Sequence, residues 1–231
     1  NSLMTPQRED NPFEDRVMAQ EWIEAIETEK GGARENEVYP MVNNWVKNND
    51  LKKVLEVGAG QGVCSPYIEV EYIGVEPSQA LIDRALHLYP DKKFLKGSSY
   101  NLPLENESID GAFSVGVWFH IENLDDAHKE LFRVLKSGGK VLIITSNPET
   151  HDAWESLFTG TKEGKKLDGS VKLPTGKMTR NVFFLHNQDE IITSLEKGGF
   201  KIESVDKFGF GSENVEDKGL GFWIAIKAVK V

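Results

Sequence analysis

The stretch Val54-Leu-Glu-Val-Gly-Ala-Gly-Gln-Gly62 decides the fold, because it joins a short apolar run to a turn with glycine at alternate positions. The apolar run suits a buried parallel strand. Gly58, Gly60 and Gly62 allow a tight turn and the close approach of a ligand. Between a central strand and the start of a helix, such a loop offers unpaired N–H groups at the crevice where open α/β sheets bind ligands. We therefore expect a nucleotide site at this loop.

The spacing of the glycines distinguishes two classes of nucleotide site. The dinucleotide fingerprint Gly-x-Gly-x-x-Gly requires glycine at position 63, where this chain has Val63. Instead, an acidic residue, Glu56, stands two positions before the first glycine. The spacing therefore disfavours a nicotinamide-dependent oxidoreductase.

A second carboxylate follows the next predicted strand. The apolar run from Tyr72 to Val75 ends on Glu76, and a helical pattern begins shortly afterwards. α/β nucleotide sites place an acid about 20 residues beyond the first glycine, where it accepts hydrogen bonds from the ribose hydroxyls. Glu76 fits that offset. The alternative is an acid that only interacts with the positive end of the helix dipole.

Three further segments of the chain contribute to the same pattern of motifs. They are Phe94 to Pro103, Ser108 to Ser114, and Leu131 to Ile144, the last with a double glycine before a strand. Together with the glycine loop and Glu76, they resemble the class I S-adenosylmethionine-dependent methyltransferases. The resemblance implies an α/β, Rossmann-like, doubly wound sheet of seven mostly parallel strands. The implied strand order is 3-2-1-4-5-7-6, with only strand 7 antiparallel.

The resemblance also implies S-adenosylmethionine as the cofactor and S-adenosylhomocysteine as the product. In this chain the loop from Glu56 to Gly60 would hold the methionine portion, Glu76 the ribose, and Ser98 and Ser99 the adenine. Many relatives carry Asp where Ser98 stands, and a hydroxyl lacks the charge assistance of a carboxylate. The expected cofactor residues are Glu56, Gly58, Ala59, Gly60, Glu76, Pro77, Ser98, Ser99 and Val115.

Methyl transfer needs no covalent protein nucleophile, but a general base helps an oxygen or carbon acceptor. The loop after the fourth strand supplies Trp118-Phe-His120, so we expect His120 as the base and Trp118 beside the acceptor. The alternative for His120 is a hydrogen bond to backbone. Cys64, the only cysteine, is expected to fill a buried contact, and the sequence predicts no metal site.

The net charge and hydropathy of the chain limit the classes of partner that it is expected to bind. The net charge is −10 and the sequence pI is about 5.1, which disfavours nucleic acid as a substrate. No apolar run approaches the ~20 residues that span a bilayer, and no basic-then-apolar signal pattern begins the sequence. We expect a cytoplasmic location, no membrane partner and a small-molecule acceptor. The sequence predicts no oligomeric state.

The segment between His151 and His186 differs in charge from the rest of the chain. It carries six Lys or Arg against four acids, so the remaining residues carry −12, since −10 minus +2 is −12. One hypothesis is a lid whose cations, Lys177 and Arg180, help to hold an anionic acceptor. The alternative is a solvated flap, because charge runs usually face water.

The whole chain, 1–231, is expected to form one methyltransferase domain. We divide it into an N-terminal helical cap (1–49), a cofactor-binding core (50–146), a substrate-side insertion or lid (147–186) and a C-terminal helix and strand pair (187–231). Residues 63–70 leave room for little more than two helical turns, with Pro66 in the first turn. Trp22 and Trp45 lie on two predicted N-terminal helices, where they either cover the site or pack on the sheet, and packing is favoured for Trp45.

The function most consistent with these features is transfer of a methyl group from S-adenosylmethionine to an O, N or C nucleophile of a small molecule. One alternative is a protein that binds S-adenosylmethionine or S-adenosylhomocysteine without catalysis. The less favoured alternative is the nicotinamide-dependent oxidoreductase.

Overall fold

The computed structural model describes residues 11–28, 34–173, 176–209 and 221–231. In these residues the strands, in chain order, are β1 Lys53–Val57, β2 Glu71–Glu76, β3 Lys93–Lys96, β4 Ile109–Val115, β5 Leu135–Ser146, β6 Phe158–Glu163, β7 Lys166–Lys172, β8 Met178–Phe184, β9 Phe200–Phe208 and β10 Trp223–Lys230. The described helices are α1 Arg16–Thr28, α2 Tyr39–Asn48, α3 Gln79–Leu88, α4 Leu124–Val134, α5 His151–Ser156 and α6 Gln188–Lys197.

Seven strands form one sheet in the order β3-β2-β1-β4-β5-β10-β9. Strands β1 to β5 are parallel, and β10 runs antiparallel to both of its neighbours, β5 and β9. The predicted order, with its one reversed strand, is therefore confirmed. The carboxyl ends of β1, β2 and β4 meet at one edge, which is where parallel sheets bind ligands.

Helices cover both faces of the sheet. Successive side chains of a strand point to opposite faces, so neighbouring residues of β1 lie in different apolar clusters. Val54 lies in one apolar cluster with residues of α2 and α3, including the buried Trp45. Leu55 lies in a second cluster with residues of α4 and α6, including Leu131 and Leu195. The predicted packing role of Trp45 is therefore confirmed.

The C-terminal helix matches its sequence pattern closely. The predicted helix from Gln188 to Lys197 is the observed α6. It begins with a capping box, in which the Asn187 side chain accepts from the Glu190 N–H and the Glu190 side chain accepts from the Asn187 N–H. Gly198 is its C-cap. The strands that follow are the predicted antiparallel pair.

The segment 63–70, which leaves room for little more than two helical turns, forms no α-helix. It contains only a 3-10 turn over Ser65–Tyr67. Pro66 disfavours a helical backbone at the residue before it. The Ser65 hydroxyl in turn donates to the Gly62 carbonyl oxygen at 2.7 Å. The glycine loop is thus followed by a short turn, and no long helix directs its N-terminus at the site.

The segment 147–186 contains a small antiparallel sheet, which the charge pattern did not predict. Its strand order is β6-β7-β8. Gly160 and Gly169 face each other across β6 and β7, and a Cβ atom at Gly160 would lie 2.2 Å from the Asp168 carbonyl oxygen. Ion pairs, including Lys162 with Glu155, lie at its surface.

The double glycine before β5 also differs from the predicted turn. β5 begins directly after α4, and Gly138 and Gly139 lie inside the strand. There the register against β4 shifts, so that Ile109 pairs with Leu135 but Gly111 pairs with Lys140. The glycines therefore form an irregularity within the strand. None of the helices described is long and apolar enough to cross a membrane.

Candidate active site

A cavity opens at the carboxyl ends of β1, β2 and β4. Its walls combine the glycine loop after β1, the end of β2, the loop after β3 and the end of β4 with residues of the N-terminal segment. Eight of the predicted cofactor residues line it: Glu56, Gly58, Ala59, Gly60, Glu76, Pro77, Ser99 and Val115. The parallel strands therefore bring together residues from four separate segments of the sequence.

The glycines of the loop have different surroundings. Gly58 has φ +76°, and a Cβ atom there would lie 2.4 Å from a methyl carbon of Val117. Gly60 has φ +57°, and a Cβ atom there would meet no protein atom within 4 Å. At Gly62 a Cβ atom would lie 2.5 Å from the Phe94 ring. Gly60 therefore faces open space in the cavity, whereas Gly58 and Gly62 permit close packing of the protein itself.

Glu76 connects the loops that follow β1 and β2. Its Oε1 accepts a hydrogen bond from the Gly60 N–H at 3.0 Å, and its Oε2 accepts from the Ser78 N–H at 2.8 Å. The expectation of unpaired N–H groups in the loop is therefore wrong at Gly60. The side chain is buried in the cavity wall, where both oxygens are held in place.

Glu56 is held by a tyrosine of the neighbouring strand. The Tyr72 hydroxyl donates to Glu56 Oε1 at 2.5 Å. Glu56 pairs in register with Gly74, whose missing side chain lets the Tyr72 hydroxyl pass. Burial raises the pKa of Glu56 to about 8, the Tyr72 hydrogen bond opposes this shift, and the Glu76 carboxylate adds to it. The Glu56 carboxyl group is therefore mostly protonated at pH 7.

The N-terminal segment covers the cavity through polar and aromatic contacts. The Ser78 hydroxyl donates to the Phe13 carbonyl oxygen at 2.6 Å, and Gln61 Nε2 donates to the Ile23 carbonyl oxygen at 3.3 Å. The Phe13 and Trp22 rings lie 5.5 Å apart, and both residues line the cavity. Trp22 therefore lies at the site, in contrast to Trp45.

His120 lines the same cavity. Its Nδ1 lies 2.8 Å from the Val182 carbonyl oxygen in β8. Because a carbonyl only accepts, Nδ1 carries the hydrogen and Nε2 retains a lone pair. The ring stacks on Phe183 at 4.9 Å between centroids. Burial lowers the pKa of His120 to about 4, although the Val182 carbonyl opposes this shift. The imidazole is therefore neutral at pH 7.

Trp118 does not reach the cavity lining. It is buried on the opposite face, where its Nε1 donates to His128 Nε2 at 3.0 Å. His128 Nδ1 then donates to the Ser194 hydroxyl, and that hydroxyl donates to Asp125. This chain of hydrogen bonds holds α4 against α6. The structure therefore gives Trp118 a packing role.

Three other predicted residues also lie outside the cavity lining. The Ser98 hydroxyl accepts from the Tyr100 N–H at 3.0 Å. Lys177 lies 3.7 Å from a Glu24 oxygen. The Arg180 guanidinium donates to both Asp168 carboxylate oxygens at 3.1 Å. The two cations predicted to hold an acceptor thus face acids of the protein.

The sequence predicted only part of what the N-terminal segment contributes to the cavity lining. Arg34 and Tyr39 line the cavity, and no motif marks them. Arg34 lies on a helical turn, Arg34–Val38, directly before α2. Tertiary packing brings these residues to the end of β4, so only the structure assigns them to the site. Among the described residues, no group of three or more His, Cys, Asp or Glu is arranged to hold a metal ion.

Comparison with known proteins agrees with this geometry. Residues 55–143 match the Methyltransferase domain family, a range that runs from β1 into β5. This part of the chain is therefore similar to methyltransferase domains, in agreement with the resemblance found in the sequence motifs. An uncharacterised methyltransferase of Schizosaccharomyces pombe is 31% identical over 123 residues, which are 50% of this chain and 49% of that protein. The chain thus spans about half the length of this curated relative.

Solved structures share the fold over nearly the whole chain. A Pyrococcus horikoshii protein superposes with a TM-score of 0.67 and 19% identity, covering 96% of this chain and 97% of that one. A Thermotoga maritima S-adenosylmethionine-dependent methyltransferase, titled a possible histamine N-methyltransferase, gives 0.62 with 22% identity, covering 95% and 98%. At this identity the likeness establishes the fold alone.

S-adenosylmethionine is the cofactor of this methyltransferase family, and the residues present fit it. The open space beside Gly60 leaves room where a side chain would intrude. The Glu76 carboxylate lies in the cavity wall, where the Gly60 and Ser78 N–H groups hold it in place. The cavity also carries an apolar surface from Phe13, Trp22 and Val117.

Proposed function

We propose that this protein transfers the methyl group of S-adenosylmethionine to an O, N or C nucleophile of a small-molecule acceptor. When bound, S-adenosylmethionine supplies a methyl group that its sulfonium makes electrophilic. The chain's own task is to orient the two reactants in line and to exclude water. A cytoplasmic location and the small size of the acceptor, both expected from the sequence, belong to this proposal.

One observation carries the proposal. The glycine loop, Glu76 and His120 line the same cavity, and apolar residues of the N-terminal segment line it with them. In the proposed arrangement, the loop from Glu56 to Gly60 binds the methionine portion and Glu76 binds the ribose hydroxyls. Ser99 lies beside the adenine. The apolar wall with Phe13 and Trp22 would receive the acceptor.

The proposal is tested with methyl-labelled S-adenosylmethionine and a pool of small metabolites. We expect the protein to transfer the label to one chemical class of product, which mass spectrometry identifies. The Glu76→Ala variant serves as the control that lacks the proposed ribose contact. Tight binding of S-adenosylhomocysteine without transfer to any metabolite would favour the non-catalytic binding protein. Calorimetry that detects NAD binding and no S-adenosylhomocysteine binding would favour the oxidoreductase.

His120 is proposed as the base that accepts the acceptor's proton. Its Nε2 has the free lone pair, because Nδ1 donates to the Val182 carbonyl oxygen. Since the pKa of His120 is lowered to about 4, the ring stays neutral and able to accept a proton from pH 5 upwards. It is also a weak base, so its contribution belongs at the low end of the usual range for general bases.

The His120→Gln variant should therefore reduce kcat about 100-fold. Its affinity for S-adenosylhomocysteine should stay close to that of the wild type, since no cofactor contact is removed. The wild-type rate should show no loss from His120 protonation between pH 8 and pH 5, because the pKa of this ring is about 4. Steady-state kinetics over that pH range measure both effects. An unchanged kcat in the variant would contradict the assignment.

Cofactor binding should release a proton from Glu56. The carboxyl group is mostly protonated at pH 7, because burial raises its pKa to about 8. The ammonium group of the methionine portion favours the ionised carboxylate. The pKa of Glu56 is then lower in the complex than in the free protein, so binding strengthens as pH rises towards 8. Calorimetry of S-adenosylhomocysteine binding at pH 7 in buffers of different ionisation enthalpy should detect release of a proton.

Two variants test the source of that proton. Glu56→Gln has a similar size but cannot ionise, so its binding should release no proton from this site. Tyr72→Phe removes a hydrogen bond that lowers the pKa of Glu56, so the release should shift to higher pH. Equal proton release by Glu56→Gln and the wild type would place the proton elsewhere.

A further inference from the structure

The turn that carries His120 has side chains on both faces of the sheet. It is the 3-10 turn Trp118–His120, which follows β4, and the His120 N–H donates to the Val117 carbonyl oxygen at 2.8 Å. His120 lines the cavity, whereas the Trp118 indole is buried in the opposite apolar cluster with Leu131 of α4. Protein interiors are close-packed and one short turn joins the two residues, so a displacement of the indole displaces the imidazole.

The Trp118 indole has a single polar atom, and His128 of α4 is its partner. The indole Nε1 donates to His128 Nε2 at 3.0 Å, the two ring planes are 14° apart, and both side chains are fully buried. Without this acceptor the buried N–H would be unpaired, which is costly. The hydrogen bond therefore fixes the rotation of the indole more sharply than apolar packing alone.

His128 offers that acceptor in one of its two neutral forms, in which Nε2 has the lone pair and Nδ1 has the hydrogen. Nδ1 donates to the Ser194 hydroxyl at 2.8 Å, and this hydroxyl donates to Asp125 Oδ1 at 2.6 Å. Burial lowers the pKa of His128 to about 4, although Asp125 opposes this shift, so the ring is neutral at pH 7. Ser194 and Asp125 thus hold His128 in the form that accepts from Trp118.

The cavity side of the turn has contacts of its own. His120 donates to the Val182 carbonyl oxygen and stacks on Phe183, both in β8. β8 belongs to the small sheet β6-β7-β8, whereas the cofactor loops follow strands of the seven-stranded sheet. The bond from Trp118 to His128 ties the same turn to α4, which packs on the seven-stranded sheet. His128 therefore links the turn to the layer that carries the cofactor loops.

We propose that His128 is a positioning residue for methyl transfer, which holds the turn of His120 against the seven-stranded sheet through Trp118. The inference rests on the proposed function, because His120 is the proposed base. His128 lies outside the cavity lining and acts on His120 through the Trp118 indole. Loss of the His128 contact should therefore lower kcat and leave the affinity for S-adenosylhomocysteine unchanged, because no cofactor contact is removed.

Two substitutions separate the two nitrogens of His128. Gln is long enough to place its carbonyl oxygen near the position of Nε2, so His128→Gln keeps an acceptor for Trp118. Asn is shorter and places its amide near Nδ1, so His128→Asn keeps a donor for Ser194 and loses the Trp118 contact. His128→Asn should lower kcat about 10-fold to 100-fold, since small misplacements of a reacting group have effects of this size. His128→Gln should stay within about threefold of the wild type.

A double-mutant cycle on kcat distinguishes positioning from support of the fold. In a His120→Gln background no base remains to be positioned, so the addition of His128→Asn should cause little further loss. A residue that only supports the fold would cause the same fractional loss in both backgrounds, and that result would overturn the proposal. Trp118→Phe removes the same hydrogen bond from its other end and should give the same cycle, which keeps the test available if His128→Asn does not fold.

NMR of ¹⁵N-labelled histidine tests the same link without turnover. The Nδ1–H signal of His120, identified by its absence in His120→Gln, reports the hydrogen bond to Val182. In the wild type and in His128→Gln this buried hydrogen should exchange slowly with water, and in His128→Asn at least about tenfold faster. His87→Asn is the matched control, because it makes the same substitution at an exposed position of α3 and should change neither the signal nor kcat.

The outcomes separate this proposal from the proposed function. A protein that binds S-adenosylhomocysteine but transfers no methyl group contradicts the proposed function, while the exchange experiment still decides whether His128 holds His120. An unchanged His120 signal in His128→Asn would overturn the proposal even if kcat falls, because the loss would then arise elsewhere. Equal kcat values for His128→Asn and the wild type would overturn it as well.

Discussion

Glu76→Ala should weaken the binding of S-adenosylhomocysteine about 100-fold, because charge-assisted hydrogen bonds contribute about 1.5–3 kcal/mol each. The carboxylate is buried in the cavity wall and already held by the Gly60 and Ser78 N–H groups. The carboxylate is therefore oriented before the ribose arrives, and little ordering is needed on binding. Calorimetry with the wild type and the variant measures the loss directly.

The loss could also arise from the loop, since Glu76 holds the Gly60 N–H. Adenosine and 2′,3′-dideoxyadenosine separate the two causes. The wild type should prefer adenosine, and Glu76→Ala should bind both nucleosides equally, because the discrimination resides in the removed carboxylate. If the variant retains the wild-type preference while binding both less tightly, the loop and not the ribose contact accounts for the loss.

Glu71→Ala provides the matched control for this experiment. Glu71 begins the strand that Glu76 ends, and its side chain is exposed at the opposite edge of the sheet beside Lys53. Its removal changes the net charge by the same amount without touching the cavity. Binding by Glu71→Ala should match the wild type. A comparable loss in this control would point to a general charge effect.

The sheet was predictable from the sequence, because each of its parallel strands is an apolar run that ends in a turn. The run before Gly58 and the run before Glu76 gave β1 and β2 with little ambiguity. Register was not predictable. Because Glu56 pairs with Gly74, the Tyr72 hydroxyl can reach Glu56 from the neighbouring strand, and only the structure shows this register. Local periodicity contains no information on such contacts between strands.

The direction of the side chains that follow a strand was also not predictable from the sequence. Gly116 adopts φ +67°, and the chain then turns so that Val117 meets the glycine loop while Trp118 enters the opposite face. Both residues contact the same apolar cluster, but only Val117 also lines the cavity. A pattern of residue types cannot show which of them faces the cavity, because the turn and not the strand period sets the direction.

The strands of the insertion did have a signal. Gly164 and Lys165 lie between β6 and β7, and Gly164 has φ +61°. A glycine in a two-residue connection between alternating segments is typical of a β-hairpin. The charge pattern of this segment indicates only its lysines and contains no information on its strands. The hairpin was therefore predictable, whereas the His120 contact with the carbonyl of Val182 was not.

The largest effect on stability is expected at Gly58. Ala at this position adds a Cβ atom 2.4 Å from a Val117 methyl carbon, in a backbone with φ +76°. Left-handed backbone costs a non-glycine residue about 1–2 kcal/mol, and overpacking typically adds about 1–3 kcal/mol. Gly58→Ala should therefore lower the free energy of unfolding by about 2–5 kcal/mol, as measured by urea denaturation.

Gly60→Ala is the natural comparison, because it shares the left-handed backbone but lacks the clash. It should lose only about 1–2 kcal/mol of stability. Its Cβ atom would nevertheless point into the open space of the cavity, so S-adenosylhomocysteine binding should fall although the fold persists. The two substitutions, which lie two residues apart in one loop, thus distinguish an effect on folding from an effect on binding.

A double-mutant cycle with Val117 decides whether the clash is the cause at Gly58. If it is, Val117→Ala should restore part of the stability that Gly58→Ala removes, with a coupling of about 1–3 kcal/mol. The same Val117→Ala change should not rescue Gly60→Ala, because a Cβ atom at Gly60 approaches no protein atom. Additive effects at Gly58 and Val117 would instead assign the whole loss to the backbone. The left-handed backbone alone would then require glycine at position 58, and the close contact with Val117 would not.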